Sequence, residues 1–497
     1  MDRRSFMAGL LASPAVMKAN AALAQTQSDD PLCYASVDDL VAMFRAGKAS
    51  PVDLLKAQIK RIEALNPKVN CITYTHFDEA LKEAQQSEDR YRRGDARPLE
   101  GITVGIKDEF NRPGWRTTQG SLVFKDAPPA VENSPLIDLL EAAGAIMPFQ
   151  TTVPEFYFFM GASTRAWGTT RNPWNLEYSP GGSSAGSGAA LAAGFATLAI
   201  GSDMGGSIRV PASQNGLYGF RPTFGRVASG EVPMSTSGPL ARRFDDIVHF
   251  QNAITGPSDK IMAGIRPRLD YPYQYSDIKG WRIAVDWGAA VATVTPPVKD
   301  AMLKGIETLR RAGCVVDEVD CGFSKDQKMV YARGLMATSI GTMGEIANAH
   351  RDLLSPYMVD VLDQVGPVGP RQAEEADELV ERLHRQVQQR VFGKGYRVLL
   401  MPTIATPLVG ADMFKSKENK VEPWTGTGLA LAFTWHWNLL NRYPIMDVPL
   451  GVVEDRMPTG MQVIGQTFTD LDTFQFASNW SRLQTSLFAA GRFPSFA

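Results

Sequence analysis

The chain is predicted to adopt an α/β fold, a mixed β-sheet core covered by helices on both faces. Apolar runs of strand length alternate with amphipathic stretches of helix length along most of its 497 residues. That alternation is the pattern of a layered sheet-and-helix domain. Hydrophobic residues make up 44% and charged residues 21%, which suffices for a large core. No repeat period and no low-complexity tract interrupts the pattern.

The elements follow in order. Ser36-Val-Asp-Asp39 resembles a capping box ahead of an apolar helical run at 40–44. Ser50-Pro51-Val-Asp53 supplies a cap, a proline at the first helical position and an acid in the first turn. The helix it opens carries Leu54, Leu55, Ile59, Ile62 and Leu65 on one face, and Asn66-Pro67 is expected to stop it. Residues 102–106 and 146–149 read as short buried strands, and 134–144 between them as a helix ending at glycine. Residues 189–193 read as helix and 196–200 as strand. Further on come strand 282–285, helix 296–312, strand 314–319 and strand 397–401. Residues 255–280, rich in Pro, Gly and Tyr, are the best candidate for a connection between the two halves.

The formal net charge of −2 gives no basic field for nucleic acid or an anionic membrane. No internal stretch reaches the ~18 uncharged apolar residues of a membrane helix. The N-terminus is different. Arg3 and Arg4 precede an apolar stretch at 7–17, and Ala22-Leu-Ala24 offers small residues for cleavage before Gln25. Residues 1–24 thus have the layout of a twin-arginine signal, which implies a periplasmic or secreted bacterial protein; an amphipathic first helix is the alternative. Cys33, Cys71, Cys314 and Cys321 form no metal-ligand spacing. A Cys33–Cys71 disulfide is conceivable after export, but a twin-arginine substrate folds first in the reducing cytoplasm, so four buried or loosely placed thiols are expected. No metal and no cofactor is expected.

Chemistry concentrates at 179–211, where two glycine-flanked serines, Ser183 and Ser207, lie 207 − 183 = 24 residues apart. Upstream, Lys107 ends an apolar run, Gly101-Ile-Thr-Val-Gly-Ile-Lys-Asp. A serine hydroxyl needs a base to become nucleophilic. The five histidines, His76, His249, His350, His384 and His436, all lie outside this region. A buried neutral lysine is the other base used for the task. Glycines in Asp203-Met-Gly-Gly-Ser-Ile free the backbone to turn N–H groups of Met204, Gly205, Gly206 and Ser207 towards an oxyanion. Each part also has a plainer reading. Lys107 could pair with Asp108 or Glu109 in solvent, Ser183 could cap the helix starting near 185, and the aromatic run 156–160 could be core rather than acyl pocket.

Together these residues resemble the amidase signature family. Gly-Gly-Ser-Ser-x-Gly-Ser at 181–187, Gly-Ser-Asp-x-Gly-Gly-Ser-Ile-Arg-x-Pro-Ala at 201–212 and Gly219-Phe-Arg-Pro-Thr-Phe-Gly-Arg226 carry the likeness. Pro154-Glu155-Phe156, Met401-Pro-Thr403 and Pro444-Ile-Met-Asp-Val-Pro-Leu-Gly451 extend it, so it covers about 30–497, with the signature core about 90–240. Ala185 and Thr152 depart from the family's usual glycine and asparagine. The resemblance implies the amidase signature fold and hydrolysis of a carboxamide through an acyl-enzyme. Ser207 would be nucleophile, Ser183 the proton shuttle after a cis peptide bond from Gly182, and Lys107 the base. Asp203 and Arg209 would form a structural ion pair, Ser184 and Ser187 would satisfy nearby backbone, and 435–438 would reach the pocket rim. The implied partner is a small-molecule amide, with no nucleic acid and no stable membrane insertion after signal removal; a homo-oligomer is compatible.

Three rivals remain. Gly182-Ser-Ser184-Ala-Gly186 satisfies G-x-S-x-G, which would make Ser184 the nucleophile of an α/β-hydrolase, although the preceding residues carry prolines rather than a strand. Ser276-Asp-Ile-Lys279 hints at a penicillin-binding enzyme but lacks the partner motifs. A partner-dependent protein resembling the A component of a tRNA-linked amidotransferase fits the motifs too; its cytoplasmic partners disagree with an export signal.

Overall fold

The computed structural model describes residues 30–496, apart from 231, 339–340 and 413–428. The 1–24 export reading lies outside these residues. The strands in chain order are β1 (Ile72–Thr75), β2 (Val104–Lys107), β3 (Phe149–Thr151), β4 (Ser163–Thr164), β5 (Gly168–Thr169), β6 (Leu198–Asp203) and β7 (Tyr218–Arg221). They continue with β8 (Thr236–Ala241), β9 (Arg282–Val285), β10 (Val315–Glu318), β11 (Val398–Pro402), β12 (Ile445–Val452) and β13 (Pro458–Gly465). β4 and β5 pair with each other. The other eleven form one sheet in the order β1-β3-β2-β6-β8-β7-β12-β13-β11-β9-β10.

The sheet is mixed. β3, β2 and β6 run parallel to one another, as do β11, β9 and β10, while the strands between pair antiparallel. Side chains alternate across a strand, and this period divides the apolar residues between two cores. Leu198, Ile200, Leu400, Met446 and Val448 join one cluster with Leu136, Ile247, Met302 and Phe474 from helices. Their neighbours Leu399, Met401 and Ile445 join a second with Leu335, Val361 and Leu383. Helices therefore cover both faces, as the sequence predicts.

Local signals act where expected. Ser50 Oγ accepts from Asp53 N–H, and Asp53 accepts from Ser50 N–H, capping the helix Pro51–Val69. That helix runs through Pro67 instead of stopping there. A proline in the last turn removes one backbone hydrogen bond, and the helix ends at Asn70, where φ is +53°. The strand expected at 146–149 shifts to Phe149–Thr151, leaving Ile146 a single bridge to Thr103. Residues 255–280 carry no helix or longer strand, but Tyr271 and Ile278 bury themselves in the first core. All four cysteines are buried, and none of them forms a disulfide. No helix among the described residues is long and apolar enough to cross a membrane.

Candidate active site

The site sits at the carboxyl ends of β2 and β6, a recurrent ligand position in parallel α/β sheets. β2 is buried on both faces, so the residues before Lys107 are small or branched and apolar. Its last residue carries the amine into the interior, where Lys107 is fully buried. The parallel register Val104↔Leu198 and Gly105↔Ala199 brings Lys107 beside the end of β6. There Ser202 Oγ accepts from Lys107 Nζ at 2.7 Å. Ser183, in the turn entering the helix Ala185–Ala192, accepts from Nζ at 2.9 Å. The Gly182–Ser183 peptide bond is cis, as the resemblance implied.

Ser207 follows β6 in the Asp203–Ile208 turn. Gly206 there has φ +122°, and a Cβ at that position would collide with Thr434 Oγ1. Ser183 and Ser207 line one cavity, together with Glu109, Ser202, Met204 and Gly205. Lys107 and Ser183 are hydrogen-bonded; among the described contacts no bond joins the Ser183 and Ser207 hydroxyls. Of the four N–H groups expected at an oxyanion, Gly206's is already donated to Asp203 Oδ1 at 2.8 Å. Those of Met204, Gly205 and Ser207 have no acceptor among the described residues. The carboxylate behind the turn has claimed the fourth, so three remain.

Asp203 and Arg209 form the expected ion pair, both fully buried, with contacts of 2.8 and 2.9 Å. Burial alone would raise the Asp203 carboxyl. The Arg209 and Arg221 charges and the Asn438 amide reverse that, holding it well below the usual carboxylate range. For Lys107 burial wins: it pulls the amine below an ordinary lysine, against an opposing pull from Glu109 at 3.1 Å and from Asp203. Asp108 turns away, accepting from Thr118 N–H at 2.9 Å and from its hydroxyl, and burial pushes it up to about 6. The plainer expectation of a solvated Lys107 pair is thus half met: Glu109 is the partner, but the lysine is dry.

The 156–160 run does line the cavity, opposite Tyr331, Ala332 and Leu335 from the helix Lys328–Thr338. Residues 435–438 do not reach its rim. Trp435 and Trp437 are buried in the second core, and Asn438 donates to Asp203. Their rings pack where the sheet needs apolar volume, and the hydrogen bonds hold the turn from behind. Ser184 Oγ donates to Ser202 O at 3.4 Å and Ser187 Oγ to Ile200 O at 2.9 Å, as expected for backbone support. Residues 172–184 contain no strand, so the turn an α/β-hydrolase nucleophile requires is absent. None of the cavity-lining residues is a histidine, and His436 is stacked on Phe323 and Trp435, pulled down to about 3 by burial. Sequence reasoning missed Ser202 and placed Glu109 only in a solvated pair. The β2–β6 register brings Ser202 to the amine, and a one-residue turn at Asp108 returns Glu109 to it. No group of His, Cys, Asp and Glu suited to a metal occurs among the described residues.

A mixed sheet with a serine pair and a buried lysine at the carboxyl ends of two parallel strands is the arrangement that the resemblance to amide-bond enzymes of the amidase type implied. The family model Amidase matches residues 53–474, so the chain belongs to that family, the amidase signature enzymes. It is 31% identical over 467 residues to the A component of glutamyl-tRNA(Gln) amidotransferase from Geobacter metallireducens, covering 87% of this chain and 94% of that one. It is 32% identical to the same component from Carboxydothermus hydrogenoformans over 472 residues, 88% and 95% of the two chains. Among solved structures it resembles a bacterial aryl acylamidase of the amidase signature family. That likeness has a TM-score of 0.83 at 25% identity, over 93% of this chain and 100% of the other. A 6-aminohexanoate cyclic dimer hydrolase shares the fold, with a TM-score of 0.81 at 24% identity over 93% and 99%.

Proposed function

We propose that the chain hydrolyses a carboxamide through an acyl-enzyme on Ser207. Neutral Lys107 takes the Ser183 proton as Ser183 takes that of Ser207, whose Oγ attacks the carbonyl carbon. The N–H groups of Met204, Gly205 and Ser207 receive the oxyanion. The proton then returns through Ser183 to the leaving nitrogen, which departs poorly without it, and water hydrolyses the ester. The observation that carries this reading is the 2.9 Å contact between the buried Lys107 amine and Ser183, in the cavity that Ser207 also lines.

The curated relatives favour a second reading, a partner-dependent amidotransferase component. The cavity favours the first. Phe156, Phe158, Phe159, Met160, Met204 and Leu335 suit an apolar acyl group, and Glu109 is the one charged residue among the described residues lining it. A glutamine's ammonium and carboxylate would need partners to replace water. Residues 1–24 support export, which would separate the chain from tRNA; replacing Arg3 and Arg4 by lysine should retain the protein in the cytoplasm.

The test is the purified chain alone, given a panel of amides differing in acyl and amine halves, with a fluorophosphonate probe in parallel. Hydrolysis of apolar-acyl amides and labelling at Ser207 are expected. Hydrolysis that requires an added partner protein would favour the amidotransferase reading, and labelling at Ser184 would overturn the nucleophile.

A further inference from the structure

We propose that Glu109 is a positioning residue for this reaction: its carboxylate dictates which serine can hand a proton to Lys107, and sets the pH at which Lys107 becomes a base. The proposal rests on Lys107 being the base.

Three atoms surround Lys107 Nζ: Ser202 Oγ at 2.7 Å, Ser183 Oγ at 2.9 Å and Glu109 Oε2 at 3.1 Å. An ammonium has three N–H donors and no acceptor, so these three partners satisfy it fully. A neutral amine has two N–H donors and one lone pair, and the lone pair must receive a hydroxyl proton. Two serines compete for that place. Ser202 cannot take it, because its hydroxyl donates to Glu109 Oε2. A carboxylate offers no proton. Only Ser183 is free to turn its O–H towards Nζ, and Ser183 is the one of the two that leads on towards Ser207.

The same carboxylate weights the proton equilibrium. Burial favours the neutral amine, and a negative charge 3.1 Å away favours the ammonium. The other groups facing Lys107 contribute less. Asp203 also favours the ammonium, but Arg209 grips both its oxygens and Arg221 Nε stands 3.9 Å away. Asp108 is turned to Thr118. The Tyr157 ring lies 5.0 Å from Nζ, and its hydroxyl donates to Asp108 O. Glu109 is the charge that changes the balance. Its side chain is 25% exposed and lines the cavity, so an occupant that excludes solvent from it strengthens its hold on Ser202 and Lys107.

The test is the rate at which a fluorophosphonate probe labels Ser207 between about pH 5 and 9, in wild type, Glu109→Gln, Glu109→Asp and Lys107→Ala. Glu109→Gln keeps the shape and removes the charge. The midpoint of its acid limb should fall by at least about one pH unit. Its plateau rate should drop because an amide oxygen holds the Ser202 hydroxyl less strongly than a carboxylate, so Ser202 competes more often for the lone pair. Glu109→Asp draws the carboxylate back by one methylene, so its midpoint should lie between the other two. It keeps the test available if the glutamine variant does not fold. Lys107→Ala should not label. If it labels like wild type, the base assignment fails and this proposal with it. If Lys107→Ala is silent while the Glu109 variants keep the wild-type midpoint, the role of Glu109 alone is overturned.

Discussion

Lys107 and Arg209 are both fully buried basic side chains near one cavity, each beside a carboxylate, yet their surroundings differ in kind. Arg209 spends all five of its N–H donors on fixed acceptors: Asp203 twice, Gln462, the Thr434 carbonyl and Asn438. A guanidinium does not lose its proton in proteins, so this cluster is a charged strut that holds the Ser207 turn from behind. Lys107 has two hydroxyls and a partly exposed carboxylate, and its proton can leave. Equal burial thus yields a rigid support in one place and, on the proposed mechanism, a proton switch in the other, decided by residue type and partners.

The largest effect should come from removing the group the switch serves. Ser207→Ala is expected to lower amide turnover at least about 1,000-fold. Retention of even a tenth of wild-type activity would remove Ser207 from the mechanism. The next variant breaks the comparison directly. Lys107→Arg keeps a buried cation but cannot become neutral, so turnover should fall roughly 100- to 10,000-fold while the fold survives. In the proposed mechanism the neutral amine is the active form, and burial pulls its pKa below an ordinary lysine's. Activity should therefore fall as pH drops through that pKa and hold above it. A profile flat from about pH 5 to 9 would make Lys107 a strut like Arg209.

On the strut side the loss should appear in stability. Asp203→Asn leaves the Arg209 and Arg221 guanidinia buried without their carboxylate, and Arg221 already has nitrogens with no hydrogen-bond partner among the described residues. Removing one member of such a cluster costs about 3–5 kcal/mol. Denaturant unfolding should register it as a lower midpoint, and an unchanged midpoint would show that the cluster's charges contribute no stability.

The sequence makes the parts of this contrast legible but not their partners. Strands such as 282–285 and the helix after Ser50 announce themselves through apolar period and capping residues. Ser183, Ser207 and Lys107 stand out because glycines and an apolar run surround them. Asp203 and Arg209 are readable because they flank the same turn. Ser202 and the buried contact of Glu109 are not, since both depend on how β2 and β6 align, and parallel strands are brought into register by packing rather than by local sequence. The wall supplied by Tyr331, Ala332 and Leu335 escapes for a similar reason. The helix Lys328–Thr338 packs against both the cavity and the helix Pro370–Arg390, and so lacks the single apolar stripe that marks a surface helix. Pro67 shows the converse, a local stop signal overridden by the helix around it. The rim position of Trp435 and Trp437, by contrast, was implied by the resemblance alone, and the rings pack into the second core instead.

The smallest effect is expected at Ser184, one residue from the proposed shuttle and the would-be nucleophile of the G-x-S-x-G reading. Its side chain is fully buried and donates to the Ser202 carbonyl at 3.4 Å. It therefore steadies the end of β6 without facing the substrate. Ser184→Ala should leave kcat within about twofold and lower stability by roughly 1 kcal/mol, the net worth of an ordinary hydrogen bond. Ser183→Ala, one position earlier, should instead cut kcat by about 100-fold or more with little change in KM, because the shuttle acts on the proton and not on binding. If the two variants exchange these phenotypes, the hydroxyl that matters is the one against the β6 carbonyl, and the relay from Lys107 does not run through Ser183.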